Sequence, residues 1–379
     1  MAYIANVRIP TEKTYGYQIC KMCEEFAGHG VEVQLWVPAR EGNIKGDAFF
    51  FYGLKKNFSI REISGLDFYK YLEDPGKLSF WFQGFLFLVQ LMFVRIDKEA
   101  IVYARDAEIS WIFRWRGYRT VFEAHNWPNK SWLYKFLIGS RDKGNKIVSI
   151  TRGLKEFFLK NNWPESRILV APDGVDLAKF DIATSQGQAR QELGLPPGKK
   201  VVLYIGHLYE WKGAQDLAEA ASLLDSNYLT IFVGGVASDV EAFKAKNQKL
   251  IEDGKIVVHH HQSREAMPRW LKAADVLVLP NKSQEKISSQ FTSPLKLFEY
   301  MASRRPIVAS DLPSIREVLN EKNCLFFKPD DARDLAAKIM FLSENQELVE
   351  QIVYQAYLDV QNFTWQKRAE NIIKFIADN

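Results

Sequence analysis

Four side chains in this sequence have the types and spacing to act on an anion: His207, Lys212, Lys296 and Glu299. Lys296 stands out by position. It follows Ser293-Pro294-Leu295, where Ser293 suits a helix N-cap and Pro294 the first helical position. The lysine therefore falls in a first turn, where the helix dipole disfavours a cation by roughly 0.3–1 kcal/mol. A phosphate docked on that helix start reverses the sign, because backbone N–H groups and the ammonium then serve one anion. Glu299 follows on the same helix, within reach of a ribose carried by that phosphate. A packed α/β unit with a solvated lysine accounts for the same residues, and physics alone leaves both readings open.

These residues need strands and helices to hold them. Apolar strand-like runs alternate with helical ones throughout, which predicts doubly wound α/β domains. The run V-V-L-Y-I-G-H-L-Y-E-W-K-G (201–213) is a strand ending at Gly206, followed by a loop with His207 and Lys212. It lacks the G-x4-G-K-[ST] spacing of a P-loop. Leu229–Val236 is a strand ending in Gly234 and Gly235, and Pro306–Ala309 is a short interior strand. In the first half, the loop Arg8–Gly16 puts Gly16 just before a helix start, where close backbone approach to a ligand is available. The strand T-V-F-E-A-H-N-W ends at Glu123, His125 and Asn126, on the edge where parallel sheets place ligands. A lone histidine there is more often structural than catalytic. The polar stretch Ser185–Lys200 fits a linker between domains.

Composition bounds the rest. The 379 residues suffice for two domains of ordinary size, and 47% hydrophobic with 25% charged residues describes a globular chain. Three cysteines and an opening Met1-Ala2-Tyr3-Ile4 without a signal-peptide pattern point to a reducing cytoplasm. Cys20 and Cys23 lie on one amphipathic helix without a second pair, so they read as core. His259, His260 and His261 alternate faces on a strand and cannot all turn to one metal. The net charge of +4 hides an asymmetry: residues 1–172 hold 25 Lys+Arg against 18 Asp+Glu. With the apolar run Phe80–Val94 and the aromatic-basic stretches Arg114–Arg119 and Asn126–Lys135, that excess suits an anionic membrane surface. Phe80–Val94 itself is too short to span a bilayer and reads first as a buried helix. No RNP, helix-turn-helix or finger pattern points to nucleic acid.

S-P-L-K-L-F-E-Y-M-A followed by P-I-V-A-S-D-L-P-S-I-R-E resembles the donor-binding segment of the retaining nucleotide-sugar glycosyltransferases of the GT-B fold, the group-one (family-four) type. In that family the second glutamate of an E-x7-E motif holds the donor ribose, and Glu299 takes that place; Phe291 stands where the first glutamate is expected. Lys212 matches the lysine of the family's G-R-x4-K-G diphosphate loop, while His207 stands where arginine is usual. E-A-H-N resembles the family's E-x-H-D/N segment, whose histidine lies beside the donor sugar, and V-A-P-D-G-V-D…F resembles its domain junction.

The resemblance implies α/β GT-B architecture: two Rossmann-like domains facing across a cleft, with a C-terminal helix crossing back to the first. It divides the chain into residues 1–172 on the acceptor side, 173–355 binding the donor, and 356–379 returning. It implies a retaining, metal-independent hexosyltransferase moving a sugar from a nucleoside-diphosphate sugar to a saccharide or lipid-linked acceptor in cell-surface polysaccharide or glycolipid synthesis. His125, Lys212 and Glu299 would be catalytic; Gly16, His207, Gly234, Ser293, Pro294, Leu295 and Lys296 would help bind the donor. No cofactor or metal is expected beyond the donor, and the place expected is the cytoplasm, peripheral at the inner face of the membrane. Two other readings share these residues: a catalytically weak nucleotide-sugar-binding partner of a biosynthetic complex, favoured by Phe291 and His207, and a GT-B sugar-nucleotide epimerase.

Overall fold

The computed structural model describes residues 1–40, 44–65, 77–125 and 145–378. The stretch Asn126–Lys135 lies outside them. The chain forms two compact units, Met1–Ala171 with Trp365–Asn379, and Pro172–Thr364.

The first unit is built on seven parallel strands in the order β3-β2-β1-β4-β5-β6-β7. They are β1 (Ala2–Ile4), β2 (Gln34–Pro38), β3 (Ser59–Ile63), β4 (Val102–Ala104), β5 (Thr120–Ala124), β6 (Lys146–Ser149) and β7 (Ile168–Val170). Its central strands are buried on both faces, as helix-covered parallel sheets require: Tyr3, Ile4, Tyr103 and Ala104 are all fully enclosed. The helix Thr14–Gly28 buries Cys20 and Cys23 as free thiols, and burial pushes both thiols up, away from reactivity.

The second unit carries six parallel strands in the order β10-β9-β8-β11-β12-β13. They are β8 (Lys200–Ile205), β9 (Tyr228–Val233), β10 (Ile256–His259), β11 (Val276–Leu279), β12 (Ile307–Ser310) and β13 (Leu325–Phe327). Two apolar layers cover the sheet, one around Leu203, Leu277 and Phe298, the other around Tyr204, Phe232 and Ile339.

Two boundaries differ from expectation. The stretch 185–200 is not a free linker: Gln186–Glu192 is a helix with a Ser185/Gln188 capping box, and Ala189 and Leu195 are buried in the second unit's core. A break at 356 would fall inside the helix Gln346–Val360, whose Ala356 and Val360 belong to the same core. The return to the first unit starts at Trp365. Trp365 packs edge-on against Tyr17 with ring centroids 6.3 Å apart, and Lys146 donates to the carbonyls of Phe375 and Asp378.

The apolar run near residue 80 forms the helix Lys77–Leu91, with Phe87 and Leu91 buried and Phe82 and Phe85 exposed. Among the described residues no helix is long and apolar enough to cross a membrane.

Candidate functional site

In the second sheet the strand order reverses between β8 and β11, and ligands of open α/β sheets bind beyond the strand ends at such a switch point. Glycines let the chain close up there. Gly206, directly after β8, has φ 145°, and Gly234, after β9, has φ 118°; a Cβ on Gly234 would lie 2.8 Å from the Gly206 carbonyl oxygen. Gly213 (φ 72°) has even less room, since its Cβ would stand 1.7 Å from the Pro280 carbonyl oxygen. The Lys282 N–H donates to the Trp211 carbonyl at 3.0 Å, so the turn holding Lys212 is clamped to the segment after β11.

The cations converge at this place. The Lys296 ammonium lies 4.0 Å from the centroid of the Tyr204 ring, and a Cβ on Gly206 would come within 3.5 Å of it. The side chain is almost fully buried, and its Nζ has no hydrogen-bond partner among the described residues. Burial, then the neighbouring Lys212, hold its pKa well below that of an ordinary lysine, against the pull of Glu299. Burial also pushes Lys212 down to about 8. Its Nζ sits 4.1 Å from the Trp211 ring centroid. His207 stacks parallel on Tyr209 at 4.9 Å, and its Nδ1 is buried without a hydrogen-bond partner among the described residues. Burial, Lys212 and His261 lower its pKa, so the imidazole is neutral near pH 7. A buried cation without a counter-charge is costly to maintain. An anion at this point would remove that cost.

The helix Leu295–Ala302 supplies the other half. Its N-cap is Pro294, with φ −74° and ψ 123° and no side-chain cap, so among the described residues no side chain caps its first N–H groups. Ser293 is not the cap. Its hydroxyl lies one residue too early and accepts instead from the Asp173 N–H at 3.1 Å. Leu295 opens the helix and turns into the core, which leaves Lys296 as the first polar side chain after the cap. Tyr300 locks the helix to the sheet, its hydroxyl accepting from the Ile205 N–H at 2.9 Å. Glu299 pairs with Arg264, Oε1 to Nη2, at 3.2 Å.

Gly16 and His125 belong to the first unit. Gly16 lies within the first turn of the helix Thr14–Gly28 rather than before it. A Cβ there would meet the Tyr52 hydroxyl at 2.3 Å and Thr11 at 2.5 Å, so the close neighbour is protein. His125 Nε2 bonds Glu123 Oε1 at 2.5 Å. Glu123 is fully buried, accepts from the Tyr103 hydroxyl, and is ion-paired with Arg105 at 2.8 Å and Arg368 at 3.3 Å. The two guanidiniums hold its carboxylate well below the usual range. Of the three histidines after residue 258, His259 tilts onto Trp270 at 4.7 Å, while His260 lies exposed beside Glu241.

The structure thus gathers His207, Lys212, Gly234, Pro294, Lys296 and Glu299 on one edge of the second sheet. Sequence reasoning missed Tyr204, Tyr300 and Arg264. Tyr204 and Tyr300 read as interior positions of a strand and a helix, and Arg264 is separated from Glu299 by 35 residues, so no local pattern marks them.

Comparison with known proteins agrees with this architecture. Residues 185–359 match the family described as glycosyl transferases group 1. TuaC of Bacillus subtilis (strain 168), named as a glycosyltransferase of teichuronic acid biosynthesis, is 27% identical over 266 residues, 69% of this chain and 62% of that protein. A D-inositol 3-phosphate glycosyltransferase of Arthrobacter sp. (strain FB24) is 30% identical over 207 residues, 53% of this chain and 47% of its own. The chain thus spans between about half and just under two thirds of these relatives' lengths. Among solved structures, Anabaena Alr3699/HepE in complex with UDP superposes with a TM-score of 0.76 over 100% of this chain and 99% of its own, at 14% identity. WaaG, a glycosyltransferase involved in lipopolysaccharide biosynthesis, gives 0.71 over both whole chains, also at 14%. At such identities the likeness concerns the fold, which is GT-B.

Proposed function

We propose, for a chain whose residues 185–359 match the group 1 glycosyl transferases and which has the GT-B fold, that it transfers a sugar from a nucleoside-diphosphate sugar with retention of configuration. One observation carries the reading: a buried Lys296 ammonium without a hydrogen-bond partner among the described residues, beside Lys212, on a helix start whose N-cap side chain makes no cap. A diphosphate fits this set. Its oxygens would accept from the helix N–H groups and both ammoniums, and the charge that grows as the sugar–oxygen bond breaks would meet donors already in position. Such preorganised donors contribute about 3–4 kcal/mol each to a transition state. Two lysines and a helix start supply this charge from the protein, which supports a metal-independent reaction. Glu299, held by Arg264, would bond the ribose hydroxyls, and His125, held by Glu123, would contact the sugar.

The HepE complex with UDP makes uridine diphosphate the first donor base to test. TuaC and WaaG are named for cell-surface polymers, which supports a saccharide or lipid-linked acceptor. Exposed Phe93 and Trp115 support peripheral contact with an anionic membrane: Arg116, next to Trp115, donates to the carbonyls of Leu91 and Val94 on either side of Met92-Phe93, which places these side chains together. Co-sedimentation with phosphatidylglycerol vesicles tests this, and equal recovery of the Phe93→Ser variant would end it.

The deciding experiment titrates UDP, GDP, ADP and CMP in EDTA, then follows turnover of the matching sugar donors. Micromolar binding of one diphosphate with α-configured product supports the transferase. Binding without turnover favours a nucleotide-sugar-binding partner, a reading to which the neutral His207 lends weight. Absence of binding removes both.

A further inference from the structure

Lys212 closes the short turn Glu210–Lys212; Gly213 follows, and then the helix Ala214–Leu223. A lysine on a four-carbon stem is flexible, so its ammonium is only as well placed as the chain that carries it. The segment after β11 holds that chain on both sides of Lys212. The Lys282 N–H donates to the Trp211 carbonyl at 3.0 Å, and the Lys282 ammonium pairs with Asp216 Oδ1 at 3.2 Å. Asp216 lies in the first turn of the helix, its N–H donating to the Gly213 carbonyl at 3.1 Å. Ser288, fully buried, gives the Trp211 carbonyl a second donor, from Oγ at 3.3 Å. The Ser288 carbonyl in turn accepts from the Ser314 hydroxyl at 2.7 Å, which ties the segment to the helix Pro313–Arg316 after β12.

The Lys282–Asp216 pair is largely out of water, and burial raises the Asp216 pKa against the pull of Lys282. Asp216 Oδ2 has no hydrogen-bond partner among the described residues. A pair desolvated in this way adds little net stability. What it adds is a fixed path for the backbone from Trp211 to Asp216. Trp211 passes that constraint to Lys212, whose ammonium lies 4.1 Å from its ring centroid. The same segment runs on past Ser288 into the helix Leu295–Ala302, which carries Lys296. One stretch of chain therefore grips the Lys212 turn and then begins the Lys296 helix.

We propose that Lys282 and Ser288 are positioning residues: through the Trp211 carbonyl and Asp216 they fix Lys212 relative to Lys296, so that one diphosphate meets both ammoniums. Donors set in advance lose their advantage when a supporting contact lets them move by about 1 Å. The proposal rests on the transferase reading only in giving the two lysines a diphosphate.

Two measurements on the full chain test it. The first is a double-mutant cycle in UDP affinity, with Lys282→Met and Ser288→Ala each made beside Lys212 and beside Lys212→Met. Lys282→Met should weaken UDP at least tenfold and Ser288→Ala about threefold where Lys212 is present, and neither should add a loss in Lys212→Met. The exchange Asp216→Asn with Lys282→Gln, which keeps a hydrogen bond without charge, should restore most of the affinity. Ser288→Ala leaves the ion pair intact and carries the test where Lys282→Met does not fold. The second measurement needs no nucleotide: the Lys212 ammonium is titrated by carbon-13 lysine NMR. The titratable and charged groups around it are His207, Lys296, Glu210 and, across Gly213, the Lys282–Asp216 pair. Burial lowers Lys212 to about 8, and Ser288→Ala, which removes no charge, should loosen the turn to water and move the titration upward. Equal losses in both lysine backgrounds, or a titration that stays in place, would overturn the proposal and leave these residues a part in folding only. An upward move in a protein that binds no nucleotide would keep the positioning and remove the transferase reading.

Discussion

The Lys296 ammonium faces the Tyr204 ring at 4.0 Å, and the ring's hydroxyl is committed elsewhere, donating to the His207 carbonyl at 2.6 Å. Tyr204 thus meets the lysine with its π face. Such a contact offsets only part of a desolvated cation's cost, about 2 kcal/mol.

Proton uptake on binding follows from this arrangement. Burial and neighbouring cations hold the pKa of Lys296 well below that of an ordinary lysine and lower that of His207, whose imidazole is therefore neutral near pH 7. A diphosphate favours their charged forms. Calorimetry of UDP binding at pH 7 in buffers of different ionisation enthalpy should report net uptake of protons. Affinity should fall as pH rises past about 8, where Lys212 loses its charge. Binding heat independent of buffer would contradict the site.

Linkage fixes the sign for stability as well. Lys212 is lowered to about 8 from 10.5, so between these values the unfolded chain binds more protons than the folded one. Stability should rise with pH across that window; below it the group's destabilising contribution is full and no longer changes with pH. Lys212→Met should flatten the rise, as read from urea midpoints at pH 7.5 and 10.

Replacing Lys296 by methionine should separate folding from binding. The variant keeps the apolar stem and removes a buried cation, so the ligand-free protein should gain about 1–3 kcal/mol of stability. Nucleotide diphosphate binding should fall at least tenfold. Thermal melts with and without UDP test both, and a destabilised variant would mean that Lys296 has a structural partner.

Glu299→Ala should weaken nucleotide binding by about 1–3 kcal/mol, the value of a hydrogen bond to a charged group. Arg264→Ala should cost less, under about 1 kcal/mol, because its pair with Glu299 is partly exposed. A titration in which Arg264→Ala is the more damaging change would shift the ribose contact from Glu299 to Arg264.

Arg368 sits on the returning helix and reaches the fully buried Glu123. Arg368→Met leaves that carboxylate with one guanidinium fewer, and breaking such a buried pair costs about 3–5 kcal/mol. Denaturant titration should show the loss, and Lys at the same position should restore part of it.

Much of the second unit could be read from local pattern. Strand ends at Gly206 and Gly234 and the helix carrying Lys296 and Glu299 follow from periodicity and from what glycine and proline permit, as does the burial of Cys20 and Cys23 in the first unit. The resemblance supplied GT-B architecture before any coordinate. Tertiary structure decided what depends on distant partners. Ser293 has the right type for a cap, but its hydroxyl goes to Asp173, 120 residues away. Gly16 looked like an approach for ligand and is an approach for Tyr52. The low pKa values of Lys212 and Lys296 come from desolvation by a whole layer of packed chain, which no residue spacing encodes. Types and periods determine which groups reach a sheet edge; only the packed fold determines which of them arrive without a partner.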